Sequence, residues 1–306
     1  MGSLRGRDYL GVRDLTPEEL HRVLDLATDL KDRLRAGEHT PLLRGKILAL
    51  VFEKPSLRTR ATLEVGMLQL GGHAIYLGPQ DIQMGTRETP ADVARNLERW
   101  THGIAVRTFA QATVDALAKT GGIPVINALS DWEHPLQALA ALQTIQERFG
   151  RLAGIRLAWV GDGNNVLRSL LYAAAGLGMS LIIAAPEEYG LDSETLAWGR
   201  ATAGSRLEVT DDPIAAVQEA DVIYTDVWTS MGQEATTASR RRVFQRYQVN
   251  AALLAHAPAQ ALVTHCLPAH RGEEITDDVL DGPRSIAFDE AENRLHAQKA
   301  LLAELL

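Results

Sequence analysis

Ser56, Arg58 and Thr59 follow an apolar run, 47–52, that stops short of Pro55, and they fall where a helix would begin. A buried strand that delivers the chain to a helix start makes an anion trap. The first-turn N–H groups lack partners inside the helix, and the positive end of the helix dipole faces the approaching charge. Arg58 adds a planar fork of donors, and Ser56 and Thr59 add hydroxyls. Taken alone, the segment fits a polar helix cap followed by an exposed arginine equally well. Arg107 stands inside a second apolar run, 103–109, where a permanent cation needs an anion beside it. A ligand anion and an internal salt bridge both meet that need. His134 and Gln137, in His134-Pro135-Leu136-Gln137, open a helical pattern after the run 124–129. Their spacing puts both on one helix face toward one ligand, unless they are a capping histidine and a surface glutamine.

The second half carries different chemistry. Asp226 ends an apolar run and precedes Val227-Trp228-Thr229-Ser230-Met231-Gly232. A carboxylate for an ammonium group, with Ser230 and the backbone near Met231 for a carboxylate, is what a zwitterionic amino acid requires, although Asp226 also suits a plain helix cap. Trp159-Val160-Gly161-Asp162-Gly163-Asn164-Asn165-Val166 approaches the dinucleotide fingerprint but places Val166 where the third glycine belongs. The turn is better read as aiming Asn165 at a ligand. His265-Cys266-Leu267-Pro268 pairs a thiol with an imidazole, yet neighbours on a strand point to opposite faces, so adjacency does not make a nucleophilic dyad. A buried structural cysteine is the commoner case. Arg294, in Glu292-Asn293-Arg294, is either surface charge or a third cation returning to the anion site.

Composition limits the partners. With 31 Lys and Arg against 39 Asp and Glu, the net charge of −8 offers no overall basic field for nucleic acid or an anionic membrane, so any anion site must be local. The single cysteine, Cys266, excludes an intramolecular disulfide and fits a reducing, cytoplasmic setting. No apolar stretch reaches spanning length, which predicts a soluble protein.

At 306 residues the chain is long for one core. Thr16-Pro17-Glu18-Glu19 is a capping-box helix start. Apolar runs at 47–52, 73–78, 103–109 and 124–129 alternate with helical patterns at 59–70, 90–101 and 111–120, and a long helical pattern covers 134–148. Further strands are expected at 155–161, 180–185, 206–210, 221–226, 261–266 and 285–288, and a last helix at 291–306. The reading is α/β: two doubly wound domains, 1–150 and 151–290, each a mostly parallel sheet flanked by helices, with the C-terminal helix returning to the first. Ligands then bind beyond the carboxyl ends of the strands.

From about Tyr9 to the C-terminus the chain resembles the aspartate and ornithine carbamoyltransferase superfamily. The resemblance rests on Phe52-Glu53-Lys54-Pro55-Ser56-Leu57-Arg58-Thr59-Arg60, His134-Pro135-Leu136-Gln137, Asp226 with Ser230-Met231-Gly232, and His265-Cys266-Leu267-Pro268. The last two look like the ornithine branch. It implies transfer of the carbamoyl group of carbamoyl phosphate to L-ornithine, giving L-citrulline and phosphate, without metal or organic cofactor. It implies that Ser56, Leu57, Arg58, Thr59, Gln83, Arg107, His134, Gln137, Cys266, Leu267 and Arg294 serve carbamoyl phosphate. Asn165, Asp226, Ser230 and Met231 would hold ornithine, and Arg107, His134, Asp226 and Cys266 would act in the chemistry. Gln83 lies on a loop that in some members works across a subunit interface, and a homotrimer or a multiple of trimers is implied. Leu57 departs from the pattern, standing where Thr is common; it removes a hydroxyl but no backbone donor. The rival readings are a carbamoyltransferase for another amine, such as putrescine or N-acetylornithine, and an NAD-dependent oxidoreductase built on the Gly161 turn.

Overall fold

The computed structural model describes residues 2–229 and 237–306. The first helix, α1 (Pro17–Arg35), starts as its residue types dictate. Thr16 Oγ1 accepts the Glu19 N–H at 3.2 Å, and Glu19 Oε2 accepts the Thr16 N–H at 3.0 Å. Then follow β1 (Ile47–Phe52), α2 (Leu57–Gln69), β2 (His73–Leu77), the short α3 (Pro79–Ile82), α4 (Pro90–Trp100), β3 (Gly103–Arg107), α5 (Gln111–Thr120), β4 (Val125–Leu129) and α6 (Pro135–Phe149). These strands pair in parallel in the order β2-β1-β3-β4. Leu48 to Phe52 are all buried, which explains a continuous apolar run rather than an alternating one: helices cover both faces of a parallel sheet. Strand order reverses between β1 and β3, whose ends lie in register, Phe52 beside Arg107. Such a reversal opens the crevice in which open α/β sheets bind ligands.

The second series is β5 (Arg156–Val160), α7 (Asn165–Gly176), β6 (Ser180–Ala184), α8 (Ser193–Ala203), β7 (Leu207–Thr210), α9 (Pro213–Val217), β8 (Val222–Thr225), α10 (Thr237–Phe244), α11 (Ala251–Leu254), β9 (Leu262–His265), α12 (Asp277–Leu280) and α13 (Ala287–Leu305). Its strands are parallel in the order β7-β6-β5-β8-β9, so the reversal falls between β5 and β8. Two compact units result, Met1–Gln143 with Glu292–Leu306, and Thr144–Ala291. Each has its own apolar core: Ala49, Val51, Leu97, Ile104 and Val106 in the first, Val160, Ile223, Phe244 and Val263 in the second.

One expected strand is absent. Ser285 makes only an isolated bridge to Val263, and the chain is already helical at Ala287, so the final helix starts earlier than 291. Asp289 and Glu290 explain this, since carboxylates in a first turn favour a helix start. From Glu292 onward α13 belongs to the first unit, where buried and partly buried polar bonds fix it to α1 and α2. Lys31 Nζ donates to Asn293 Oδ1 at 2.7 Å, Thr62 Oγ1 lies 2.7 Å from the Gln298 amide, and Lys299 Nζ donates to Gln69 Oε1 at 3.0 Å.

Candidate functional site

In the first unit the turn after β1 builds the site. Ser56, extended at φ −159°, caps α2 by accepting the Thr59 N–H on Oγ at 3.2 Å. The N–H of Leu57 lies in the first turn, where the helix itself supplies no partner. The Leu57 side chain is 78 % exposed and adds nothing polar. Thr59 is buried, and its Oγ1 accepts from Arg294 Nη2 at 2.7 Å. Arg294 Nη1 donates to Gln137 Oε1, and with the Gln298 amide turned to satisfy both its partners, that oxygen accepts from Arg294 Nε and Nη2 at 3.3 Å. These three acceptors are neutral. They orient a guanidinium that is only 2 % exposed without cancelling its charge.

Arg107, the last residue of β3, is buried beside the end of β1. His134 is buried at the head of α6, its carbonyl accepting the Gln137 N–H at 3.0 Å. Burial, and after it the charges of Arg294, Arg107 and Arg58, hold the His134 ring well below the usual imidazole range. The ring is therefore neutral, and three guanidiniums act on it together. Gln83 is exposed and left-handed at φ 51°, in a separate pocket that it lines with Phe52, Glu53, Gly78 and Met84. Lys54, which sequence reasoning passed over, is buried with Nζ 4.2 Å from the Phe109 ring centre. Its place between the apolar strand end at Phe52 and the helix start at Ser56 was the available signal.

In the second unit the centre is a carboxylate. Asp226, just beyond β8, is buried; its Oδ1 accepts from Cys266 Sγ and from the Val227 N–H, each at 2.8 Å, and its Oδ2 accepts from Asn164 Nδ2 at 2.7 Å. Asn164 also caps α7, its Oδ1 accepting the N–H groups of Val166 and Leu167 at 3.0 and 3.1 Å. Asn165, which the resemblance assigns to ornithine, is the half-buried first residue of α7, and its neighbour Asn164, not among the expected site residues, is the one bonded to Asp226. The preference for Asn at a helix cap signals the cap but not the bond to Asp226.

Asp162 pairs with Arg240, and burial pushes its carboxyl up to about 7 against the pull of that arginine, with Asp226 raising it further. Gly163 is glycine for an internal reason: a Cβ there would sit 2.4 Å from the Gly190 carbonyl carbon, and its N–H already donates to Tyr189 O at 2.7 Å. The turn is covered by the chain's own backbone, which removes the basis for the dinucleotide reading. Leu267 follows Cys266 at φ 56°, and Ser230 and Met231 lie outside the described residues.

Two parallel units with these clusters at their strand ends define an α/β group-transfer enzyme, and the comparisons agree. Residues 7–147 match the aspartate/ornithine carbamoyltransferase carbamoyl-P binding domain, and residues 153–305 the Asp/Orn binding domain of the same family. The chain belongs to the aspartate/ornithine carbamoyltransferase family. It is 51 % identical to an ornithine carbamoyltransferase of Pyrococcus horikoshii over 99 % of this chain and 97 % of the relative. It is 50 % identical to a Pyrococcus furiosus protein named ornithine carbamoyltransferase, anabolic, over 98 % and 96 %. The solved Pyrococcus furiosus ornithine carbamoyltransferase superposes with a TM-score of 0.96 at 49 % identity, covering 100 % of this chain and 98 % of that one. The Thermus thermophilus enzyme gives 0.88 at 49 % identity, with 97 % of each chain covered.

Proposed function

We propose that the protein transfers the carbamoyl group of carbamoyl phosphate to the δ-amine of L-ornithine, giving L-citrulline and phosphate. The observation that carries this reading is the cluster at the start of α2. Arg294, bonded to Thr59 and Gln137, joins Arg58, Arg107 and a neutral His134 at a helix start, where the dipole favours an anion. The high identity to proteins named ornithine carbamoyltransferase supports ornithine as acceptor, and the relative named anabolic supports a biosynthetic direction.

In this reading Ser56, Arg58, Thr59 and the Leu57 N–H hold the phosphate, with Gln83, Gln137, Leu267 and Arg294 completing that site. Arg107, His134 and Thr59 donate to the carbonyl oxygen as it gains negative charge. A neutral imidazole suits that task because it donates without adding a fourth fixed cation. Asp226 receives the cationic end of ornithine, with Asn165, Ser230 and Met231 around it, and Cys266 touches the amine as a polar thiol. An alkylammonium ionises near about 10.4, so only its minor, neutral form attacks. The amine nitrogen bonds to the carbonyl carbon, the bond from that carbon to the phosphate oxygen breaks, and phosphate leaves carrying the amine proton. No residue here requires a metal or organic cofactor for this chemistry.

The same reading assigns the protein to the cytoplasm as a homotrimer or a multiple of trimers, which sedimentation of the purified protein tests. No helix among the described residues is long and apolar enough to cross a membrane. Citrulline formation by Arg58→Ala tests the phosphate assignment. Loss of one such donor costs on the order of 3 kcal/mol, about a hundredfold in rate, and activity within about threefold of wild type overturns the assignment.

A further inference from the structure

His265 has no part in the reaction just described, yet it is fully buried with both ring nitrogens engaged. Nδ1 accepts the Leu267 N–H at 2.8 Å, and Nε2 lies 3.1 Å from Glu274 Oε1. A backbone N–H only donates, so Nδ1 carries no proton, and the ring meets the carboxylate through Nε2–H. The network therefore selects one neutral tautomer. Glu274 is itself fully buried, and its Oε1 also accepts the His270 N–H at 2.5 Å, which ties the far end of the same turn to the same oxygen.

The residue that receives Nδ1 is one of two described non-glycine positions with positive φ, the other being Gln83. A leucine in the left-handed region is disfavoured by its Cβ and persists only where its surroundings hold it. The bond from Leu267 N–H to His265 is the hold visible at this turn. Cys266 lies between the two, donating to Asp226, so the conformation of Leu267 sets where the Cys266 thiol and the Leu267 backbone are presented.

We propose that His265, fixed as the Nε2–H tautomer by Glu274, is a positioning residue that pins Leu267 in its left-handed conformation and thereby aligns the Cys266–Leu267 turn for the substrates. The proposal rests on the reading that this turn belongs to the substrate site. Two substitutions separate the two ends of the imidazole. His265→Asn places an oxygen near the Nδ1 position but does not reach Glu274, whereas His265→Gln reaches toward Glu274 and offers nothing at Nδ1.

The measurements are kcat, KM for carbamoyl phosphate and for L-ornithine, and Tm, on the full-length protein. His265→Gln lowers kcat by about tenfold to a hundredfold, the cost of a reacting group held slightly out of place, while His265→Asn stays within about threefold of wild type. Equal losses in both variants, in step with Tm, mean that the histidine only stabilises the fold and overturn the proposal. A neutron structure of the unaltered protein gives a test that needs no variant to fold: deuterium on Nε2 and none on Nδ1 is expected, and deuterium on Nδ1 overturns the proposal. Failure of the wild-type protein to form citrulline refutes the assigned reaction, whereas the neutron result bears on the imidazole alone.

Discussion

The first unit gathers Arg58, Arg107 and Arg294 around a neutral His134 at the start of α2, whereas the second surrounds one carboxylate, Asp226, with Asn164, Cys266 and the Val227 amide. The signs are opposite but the construction is shared. In each, the polar neighbours of the charged group are largely neutral and fix its direction while leaving its charge in place. The Asp162–Arg240 pair shows the contrasting arrangement, in which a buried charge is met by its opposite. Burying a charge costs several kcal/mol unless hydrogen bonds and opposite charge compensate it, and a ligand of opposite sign adds to that compensation. The signs agree with the family matches, a carbamoyl-P binding domain over residues 7–147 and an Asp/Orn binding domain over residues 153–305.

The largest expected effect comes from weakening the positive cluster. Arg107→Met removes a fork of donors from the buried end of β3, and kcat/KM for carbamoyl phosphate should fall by about a hundredfold to a thousandfold. Arg107→Lys should recover only part, because an ammonium cannot reproduce a planar bidentate contact. Loss below about threefold in the Met variant would break the contrast between the units.

Asp226→Asn tests the other side with nearly unchanged shape. Hydrogen bonds to a charged group contribute about 1.5–3 kcal/mol, so kcat/KM for ornithine should fall by about tenfold to a hundredfold. KM for carbamoyl phosphate should move by less than about threefold, since that ligand is assigned to the first unit. An equal change in both constants would show that the two charge centres do not divide the substrates.

A smaller effect reports on His134 through stability. Its folded ring is held well below its ordinary value of 6.5, so below pH 6.5 the unfolded chain binds a proton that the folded chain does not. Stability is therefore retained above pH 6.5 and lost as pH falls beneath it, by at most about 1.4 kcal/mol per pH unit from this residue. Denaturant titrations at several pH values should show a shallower loss for His134→Gln than for wild type. Identical slopes would mean that the ring is charged in the folded protein, and the cluster would then carry one cation more than assigned.

Much of this architecture is legible in the amino-acid sequence. Continuous apolar runs at β1 and β3 mark strands covered on both faces, and the capping box at Thr16 and the Ser56 cap mark helix starts, because these signals are local. The strand expected at 285–288 fails for a local reason of another kind: two carboxylates in the next turn favour a helix there. What the sequence hides are bonds between residues distant along it. Asn164 to Asp226 and Arg294 to Thr59 are pairings decided by sheet order and by the return of α13, and no periodicity encodes them. Asn164 is not legible as a partner of Asp226, because a residue read as a helix cap next to the expected ligand-facing Asn165 gives no sign of a second bond to another strand end.

The smallest expected effect concerns Leu57, where the chain departs from its family's usual threonine. Leu57 is the first residue of α2 and its side chain is 78 % exposed, so the site can use only its N–H, which every residue except proline supplies. The capping oxygen is already provided by Ser56, and a first-turn threonine differs from leucine by only about 0.5 kcal/mol in helix preference. Leu57→Thr should therefore leave KM for carbamoyl phosphate within about twofold of wild type. A fall of about tenfold or more would show that the missing hydroxyl is a phosphate ligand in its own right. The positive cluster would then have to be counted as short of one donor, with Arg58 and the helix amides carrying the anion more weakly than the contrast between the units now requires.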